Sequence, residues 1–439
     1  FDLKSMALAT STRRGASLLP RLRRTHEPRV RCSGSDADTG GASPAKVVVL
    51  GGTGRVGSST AASLASSGRP LELVLAGRSG SERAAEVRER WPSLEGATFL
   101  RCDTTDPSSL AAAVSGADLV VHAAGPFQRT ADCAVLEACI AAGTPYMDVC
   151  DDVDYSQRAK ALSGKAEAAG VPAITTTGIY PGVSNVMAAE MIRLGDENEE
   201  QADREVDRVL FSYYTAGSGG AGPTILATSF LLCGEEVVAF KDDAEVRQPP
   251  ASNRRCVDFG PGVGKREVFL YNLPEVHSIH DTYKVPNVSA RFGTSPGIWN
   301  GAMQLVAKLF PQSFYDSPQA LNAFVALSDP MVRAVDNLVG EQVAMRIEVE
   351  SKGSKVACGL YVHKSLSTAV GVSTASFAHA MLDGETRPGV WFPEQEEAVA
   401  DRAALIKRAI DGTSRFELNK APWQIESDPI NLGVGIYWQ

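Results

Sequence analysis

An apolar, β-branched run that ends in closely spaced glycines is the feature that most constrains the fold of this chain. It reads Val47-Val48-Val49-Leu50-Gly51-Gly52-Thr53-Gly54-Arg55-Val56-Gly57, and a small-residue segment of helical length, Ser58–Ser67, follows it. A strand, a glycine turn and a helix in this order begin a dinucleotide-binding βαβ unit, in which backbone amides reach the pyrophosphate. The alternative is an ordinary strand-to-helix turn. We predict that the nucleotide is bound by Gly51, Gly52, Thr53, Gly54, Arg55, Val56 and Gly57.

The segment from Lys46 to Thr177 alternates between strand-like and helix-like stretches joined by short turns. This alternation predicts an α/β domain with a Rossmann-type, doubly wound parallel sheet, whose ligands bind beyond the carboxyl ends of the strands. The six predicted strands are Val47–Leu50, Leu71–Ala76, Ala97–Arg101, Asp118–Ala123, Pro145–Val149 and Val171–Thr176.

After about Val186 the regular alternation ends, and strand-like runs follow one another without helices of regular spacing. Two of them, Gln342–Glu350 and Lys355–Lys364, flank a Ser-Lys-Gly-Ser turn that is typical of a hairpin. The pattern predicts an α+β domain with a mostly antiparallel sheet.

The first 32 residues contain seven arginines and one lysine against two acidic residues, and Ser33–Pro44 is rich in Gly, Ser and Asp. Residues 1–44 therefore resemble a transit peptide with a linker, which predicts the chloroplast stroma, with the mitochondrion as the alternative. A disordered basic tail is the other interpretation. Without residues 1–32 the net charge is −15, which argues against nucleic acid and anionic membranes as partners. No apolar run is long enough for an integral membrane segment.

The end of the second predicted strand indicates which nicotinamide cofactor is bound. An NAD enzyme usually places Asp or Glu there to hold the ribose 2′-hydroxyl. Here Arg78 and Ser79 occupy this place, and Arg78 follows Gly57 by 21 positions, close to the expected spacing of about 20. A guanidinium suits a 2′-phosphate, so we predict NADP as the cofactor. The alternative is a surface arginine on a loop.

Two further strand ends carry candidate cofactor contacts. Asp103 follows the third strand and could accept a hydrogen bond from the adenine amino group, or could form an Asx turn. Ala124, Gly125 and Pro126 follow the fourth strand, where small residues let a flat nucleotide approach the backbone. We predict a ribose–nicotinamide contact there, against a plain turn.

Candidate catalytic residues lie at the ends of the fifth and sixth strands. Asp148 and Asp151 could relay protons or bind an amine, although capping of the next helix is an equal alternative for this acidic cluster. Tyr180 precedes Pro181-Gly182 at the domain junction, where it could orient a substrate or pack a hinge. The spacing His277-x-x-His280 lacks a matched third ligand, so no metal is predicted.

These motifs together resemble the saccharopine dehydrogenase-like family, in its short single-function form. The pieces that carry the resemblance are Gly51–Gly57, Ala76-Gly77-Arg78, Ala124-Gly125-Pro126-Phe127, Tyr146-Met147-Asp148 and Gly178–Asn185. The resemblance implies an NADP-binding domain (45–185), a substrate and dimerisation domain (186–370), and a C-terminal segment (371–439) that returns to the first domain. It also implies a homodimer.

The resemblance implies an oxidoreductase that transfers hydride to or from the C–N centre of an amino-acid-like small molecule. Saccharopine has three carboxylates and needs several arginines, and Arg254, Arg255, Arg266 and Arg291 are the available candidates. Two alternatives remain open. One is a non-catalytic NADP(H)-binding regulatory or assembly protein of the plastid, and the other is a reductase of an apolar unsaturated substrate, which an apolar cleft in the second domain would favour.

Overall fold

The computed structural model describes residues 43–196, 205–217, 223–353, 355–427, 430–431 and 437–438. Residues 1–42, which hold nearly all of the predicted transit peptide and linker, lie outside the described residues. Pro44 to Gln439 form one compact unit. Within its described residues, no helix is both long enough and apolar enough to cross a membrane.

Strands and helices alternate through the first part of this unit. The strands are β1 Ala45–Leu50, β2 Leu71–Gly77, β3 Thr98–Arg101, β4 Leu119–His122, β5 Tyr146–Asp148 and β6 Pro172–Ile174. The helices are α1 Arg55–Ser66, α2 Ala84–Arg90, α3 Pro107–Val114, α4 Ala134–Ala142, α5 Val153–Ala161 and α6 Ser163–Ala169.

The order of elements is irregular in the second part. It runs α7 Val183–Asp196, β7 Val206–Ala216, α8 Pro223–Leu232, β8 Val237–Lys241, β9 Ala244–Gln248, β10 Ser252–Asp258, β11 Lys265–Leu270, α9 Pro274–Tyr283, β12 Asn287–Ser295, α10 Ile298–Leu309, α11 Gln312–Tyr315 and α12 Pro318–Val339. It continues with β13 Gln342–Ser351, β14 Lys355–His363, α13 Leu366–Leu382, β15 Gly389–Trp391, α14 Arg402–Ala409, β16 Thr413–Lys420, α15 Pro422–Ile425, β17 Ile430–Asn431 and β18 Tyr437–Trp438.

The first sheet is parallel throughout and has the strand order β15-β6-β5-β4-β1-β2-β3. The direction of winding reverses between β1 and β4, so a crevice opens beyond their carboxyl ends. Strand β1 lies inside the sheet, between β4 and β2. Its residues Val47, Val48, Val49 and Leu50 are almost completely buried, as the run of β-branched residues predicts. The predicted Rossmann-type sheet is confirmed, and β15 adds a seventh strand to it.

The second sheet is mostly antiparallel, as predicted. Its main path is β10-β11-β12-β7-β13-β14-β16, with β8 and β9 attached to β12, and only the pair β12 and β7 is parallel among the described strands. Helix α13 joins this part of the chain to the first sheet by packing on α1. A Cβ added at Gly371 would lie 2.2 Å from Ser59 Oγ, so the two helices can approach this closely only because α13 has glycine there.

Candidate functional site

A cavity of about 870 Å³ begins at the carboxyl end of the first sheet and extends along β7 and helices α8, α10 and α12. Its two ends differ chemically. Backbone, small residues and arginines line the end at the first sheet, whereas aliphatic and aromatic side chains line the other end. A nucleotide and a second, less polar molecule could therefore lie side by side in one space.

The glycine-rich turn forms the floor of the first end. Gly51 has φ +77°, and a Cβ there would lie 2.5 Å from the Ala123 carbonyl oxygen at the end of β4. Gly57 packs the helix against the turn, since its Cβ would lie 2.3 Å from Gly51 O. Gly52 lies behind the turn, with its Cβ position 2.9 Å from Leu75. These glycines make the close turn that the motif predicts.

Gly54 is the N-cap of α1 and provides no side-chain cap for the helix. Thr53, Gly54, Arg55 and Val56 line the cavity, so the amino end of α1 faces open space. The first N–H groups of a helix have no partner within the helix and bear partial positive charge. This end fits the pyrophosphate of a dinucleotide, because it offers backbone donors and no side chain that would occupy the space.

Arginines surround this end of the cavity. Arg78 and Ser79 follow β2 and line the cavity, as do Arg83 and Arg90. Burial, together with Arg90 and the more distant Arg333, lowers the pKa of Arg55. Mutual repulsion among cations favours the binding of an anion between them. The sequence analysis named Arg55 and Arg78 but not Arg83, Arg90 and Arg333. Of these three, Arg333 comes from α12, far along the chain.

The remaining predicted cofactor residues differ in position. Ala124, Gly125 and Pro126 line the cavity after β4, opposite the glycine-rich turn. Asp103 is not among the lining residues, and its Oδ1 accepts hydrogen bonds from the Thr105 N–H and Oγ1. These two bonds, the N–H bond first, lower the pKa of Asp103. Its side chain therefore forms the Asx turn that was the alternative to an adenine contact.

Two stacked tyrosines form the wall where the two ends meet. Tyr180 and Tyr213 both line the cavity, with ring centroids 4.3 Å apart and planes 14° apart. The Tyr213 hydroxyl donates to Glu275 Oε1 at 2.6 Å. The Tyr180 hydroxyl is buried and has no hydrogen-bond partner. Burial, and then the charge of Glu275, raise the pKa of Tyr180, so this phenol keeps a proton that it can donate to a bound molecule.

The two predicted aspartates have different surroundings. Asp148 is fully buried outside the cavity, and its carboxylate accepts hydrogen bonds from Tyr146 Oη, Thr175 Oγ1 and the N–H groups of Thr176 and Cys150. It joins the ends of β5 and β6. Burial raises its pKa to about 6.

Asp151 does line the cavity, and Gln128 Nε2 donates to its Oδ1 at 2.9 Å. Burial raises the pKa of Asp151 to about 6. Asp151 is thus the carboxylate of the pair that could meet a bound molecule. The N-cap of α5 is instead its neighbour Asp152, whose Oδ1 accepts from the Tyr155 N–H.

An apolar wall closes the far end of the cavity, and sequence reasoning did not find it. Its members come from α8, α10, α12, β12 and the loop between β11 and α9, and they share only their aliphatic or aromatic character. They include Ile225, Leu226, Phe230, Tyr271, Leu273, Phe292, Trp299, Met303, Val306, Phe324 and Val332.

Two fully buried glutamates stand behind the tyrosines. Glu275 also accepts from Ser184 Oγ, and Glu394 Oε2 accepts from Asn185 Nδ2 at 3.0 Å. Glu275 Oε2 and Glu394 Oε1 have no hydrogen-bond partner. Burial raises the pKa of each carboxyl to about 7. Among the described residues, no cluster of three or more His, Cys, Asp or Glu side chains is suited to hold a metal ion.

Comparison with known families identifies the nucleotide-binding part of the cavity. Residues 47–174 match the family described as the saccharopine dehydrogenase NADP binding domain. This part of the chain therefore contains a saccharopine dehydrogenase NADP binding domain. The resemblance found in the glycine-rich turn is thereby confirmed, and the family supports a nicotinamide cofactor for the site at α1.

A solved structure has the same fold beyond the first domain as well. Saccharopine dehydrogenase (L-Glu forming) from Saccharomyces cerevisiae aligns with a TM-score of 0.57 over 83% of this chain and 96% of that chain, at 15% sequence identity. At that identity the likeness shows the shared fold alone.

Curated proteins that are similar to this chain come from mycobacteria. A trans-acting enoyl reductase of Mycobacterium leprae is 27% identical over 197 residues, which cover 44% of this chain and 47% of that protein. A trans-acting enoyl reductase of Mycobacterium tuberculosis is 30% identical over 169 residues, which cover 38% and 40%. The chain spans between about a quarter and half of the length of the curated relatives that it matches.

The glycine at the start of α1 can be tested directly. Gly54→Val puts a side chain where the phosphates would lie, with its Cβ 3.0 Å from Gly51 O. We expect NADPH affinity to fall by more than about tenfold, since a blocked site loses several charge-assisted hydrogen bonds, while circular dichroism stays unchanged. Gly164→Val is the control because a Cβ there meets open space. A folded Gly54→Val protein with unchanged NADPH fluorescence enhancement would contradict the site.

The buried glutamates predict a falling stability with rising pH. Their pKa of about 7 in the folded protein exceeds the ordinary value of 4.5, so the folded state binds more protons between these values and its stability decreases as pH rises through that window. Glu275→Gln should flatten this decrease, by about 1.4 kcal/mol for each unit of pKa shift removed. Chemical denaturation at pH 5 and pH 8 measures it. Exposed Glu95→Gln should leave the decrease unchanged, and an equally steep decrease in Glu275→Gln would refute the prediction.

Proposed function

We propose that this protein is an NADP(H)-dependent reductase of an apolar, unsaturated small molecule. The observation that carries the proposal is the composition of the cavity wall beyond the nicotinamide end. Among the described lining residues from β7 onward, Arg333 is the one charged side chain, and the rest are apolar or uncharged polar. Such a wall stabilises a substrate by burial of apolar surface, at roughly 25 cal/mol per Å².

An amino-acid-like substrate has less support. Its carboxylates would need cations, because a buried charge without a partner is strongly unfavourable. None of the four candidate arginines is among the residues that line the cavity. Two of them pair with carboxylates of their own, Glu267 and Glu348. The four are Arg254, Arg255, Arg266 and Arg291.

The relatives add independent support. Two mycobacterial proteins that match part of the chain are named trans-acting enoyl reductases, and an enoyl group is an unsaturated one. We therefore propose a carbon–carbon double bond conjugated to a carbonyl as the reacting group, carried on an apolar chain that the far wall holds.

Tyr180 has the geometry to polarise such a carbonyl. When bound, a reduced nicotinamide supplies a hydride, which adds to the double bond together with a proton as the cofactor is oxidised. The Tyr180 Oη–H is unpaired at the cavity wall, so it can donate to the carbonyl oxygen, where negative charge develops. One such donor contributes about 10²- to 10³-fold to the rate. Asp151, at the same end, can exchange a proton with the bound molecule.

We further propose NADP(H) in preference to NAD(H). Arg78 lies directly after β2 and lines the cavity with Ser79, where an NAD enzyme has a carboxylate. The domain family is also described as NADP-binding.

Arg78→Asp tests the preference for the phosphorylated cofactor. A charge-assisted contact contributes about 1.5–3 kcal/mol, so NADPH affinity should fall roughly 10- to 150-fold, and the preference over NADH should vanish or reverse. Arg101→Asp is the matched control, because Arg101 is exposed on the neighbouring strand and does not line the cavity. Equal affinity of the unmutated protein for NADPH and NADH by calorimetry would refute the assignment.

Turnover tests the reaction class. The full chain with NADPH should reduce 2-enoyl thioesters, with kcat/KM rising as the apolar chain lengthens, and should not turn over an aldehyde with an amino acid. Consumption of NADPH at 340 nm measures both. Tyr180→Phe should lower kcat by about 10²-fold without a change in NADPH affinity.

Tyr214→Phe is the matched control for this variant. Tyr214 is the chain neighbour of Tyr213 on β7. It is buried like Tyr213 but does not line the cavity. If NADPH were consumed with the aldehyde and amino acid but not with the enoyl thioesters, the reaction at a C–N centre would be favoured instead. NADPH binding without turnover of either substrate would favour a non-catalytic, cofactor-binding role.

A further inference from the structure

Helix α12 carries the one charged side chain that the described cavity lining receives from β7 onward. Four of its residues, Phe324, Ser328, Met331 and Val332, lie in the cavity wall and span about 100° of the helix at 3.6 residues per turn. The next residue, Arg333, also lines the cavity. An apolar substrate gains nothing from a cation, so Arg333 needs another explanation than the wall that precedes it.

The charge of Arg333 acts at the cofactor end of the cavity. Arg55 begins α1 beside the glycine-rich turn, and burial, followed by the charges of Arg90 and Arg333, lowers its pKa. Arg90 lies on α2, and Arg78 lines the same end after β2. An anion among these cations would relieve their mutual repulsion. The first part of the chain thus supplies three arginines to this end, and α12 supplies a fourth.

Arg333 already has a carboxylate partner, but a weak one. Its Nε lies 2.5 Å from Asp329 Oδ2, one helical turn earlier, and the two side chains are 54% and 25% exposed. An ion pair this close to solvent contributes little to stability. A phosphate monoester has a charge of about −1.5 to −2 at pH 7 and three acceptor oxygens, so it is a stronger partner for a guanidinium than one carboxylate. Arg333 can therefore exchange Asp329 for a phosphate.

The helix has a weak point just before Arg333. Pro330 lies inside α12 and has no N–H, so the Ala326 carbonyl receives no helical hydrogen bond from it. Ser328 Oγ donates to Phe324 O at 2.7 Å, a type of bond that often bends helices. The part of α12 that contains Met331, Val332 and Arg333 can therefore shift relative to the part before Pro330.

The part of α12 before Pro330 is anchored by aromatic packing. The ring of Phe324 lies at centroid distances of 4.8, 5.3 and 5.6 Å from the rings of Phe230, Phe310 and Phe314. A new partner for Arg333 would consequently move Met331 and Val332 more readily than Phe324. Because Met331 and Val332 line the cavity, such a movement would change the shape of its apolar wall.

We propose that Arg333 binds the 2′-phosphate of NADP(H) and that this contact couples the cofactor to the apolar end of the cavity. The 2′-phosphate is favoured over the pyrophosphate because Arg78 and Arg90 belong to β2 and α2, whereas the pyrophosphate lies at the amides of α1. The inference rests on the proposed preference for NADP(H). It adds a cofactor ligand from the second part of the chain and an order of binding, in which the phosphorylated cofactor first shapes the wall for the substrate.

Calorimetry of the full chain with NADPH and NADH tests the contact. Arg333→Met should lower NADPH affinity about tenfold, because a charge-assisted contact with phosphate is lost, and should leave NADH affinity unchanged. Asp329→Asn should raise NADPH affinity roughly two- to fivefold, the range of an exposed ion pair, since the competing carboxylate is removed. Arg208→Met is the matched control, because Arg208 pairs with Glu350 at 2.8 Å, is 41% exposed and does not line the cavity.

Fluorescence of N-phenyl-1-naphthylamine, an uncharged apolar probe, tests the coupling. Saturating NADP⁺ should raise the affinity of the unmutated protein for this probe by about fivefold or more, and saturating NAD⁺ should not. Arg333→Met should abolish the difference between the two cofactors. Unchanged circular dichroism checks that each variant is folded.

Four results would overturn the proposal: unchanged NADPH affinity in Arg333→Met, an equal loss for NADPH and NADH, an equal loss in Arg208→Met, or equal probe affinity with NADP⁺ and NAD⁺. The two proposals fail differently. Equal binding of NADPH and NADH by the unmutated protein would remove the preference for NADP(H) itself. A preference that persists at full size in Arg333→Met would refute this inference alone.

Discussion

The cofactor end of this protein depends on one close approach of backbone to backbone. At Gly51 the chain turns with φ +77°, and the space of a Cβ is filled by the carbonyl of Ala123 at the end of β4. Any side chain at Gly51 would push the ends of β1 and β4 apart. The gap between these two strands, where the winding of the sheet reverses, would then be wider. Because that place is also where the crevice opens, the same contact brings the amino end of α1 opposite Ala124–Pro126. The glycine-rich turn requires positions without side chains, which is why it can be recognised from the glycines in the sequence.

The first sheet could be predicted because its determinants are local. Strand β1 is an unbroken apolar run, and helix-length segments separate it and the following strands, so neither the class nor the parallel order needed long-range information. The strand β15 could not be predicted in this way. It has three residues, and most strands of the second sheet lie between it and its partner β6 along the chain. Strand β16 likewise has no clear alternation of buried and exposed residues.

The residues of the candidate site likewise differ in whether local sequence is enough to find them. Arg78, predicted from its spacing after the glycines, and Tyr180, predicted from its place at the domain junction, both line the cavity. Local sequence could not decide whether Asp148 faces the cavity, because its partners Thr175 and Thr176 lie in the segment that follows the next strand, β6. Tyr213 and Glu275 meet only because β7 and α9 pack together, and the apolar wall is assembled from elements that share no motif. Residues of this kind are found by geometry alone.

Unpaired polar atoms are what separate this cavity from an ordinary apolar core. A buried donor or acceptor without a partner costs about 1–3 kcal/mol, and native proteins contain few of them. The Tyr180 hydroxyl is one, and Glu275 Oε2, behind the stacked partner ring of Tyr213, is another. The raised pKa of Glu275 lets this carboxyl keep a proton near neutral pH, so the group behind the tyrosines can donate as well as accept. Folding alone would favour phenylalanine in place of Tyr180, because the ring stacks on Tyr213 without the help of its hydroxyl. Of the two residues, Tyr180 is the one that lines the cavity, so a bound molecule could complete the hydrogen bonding of its hydroxyl.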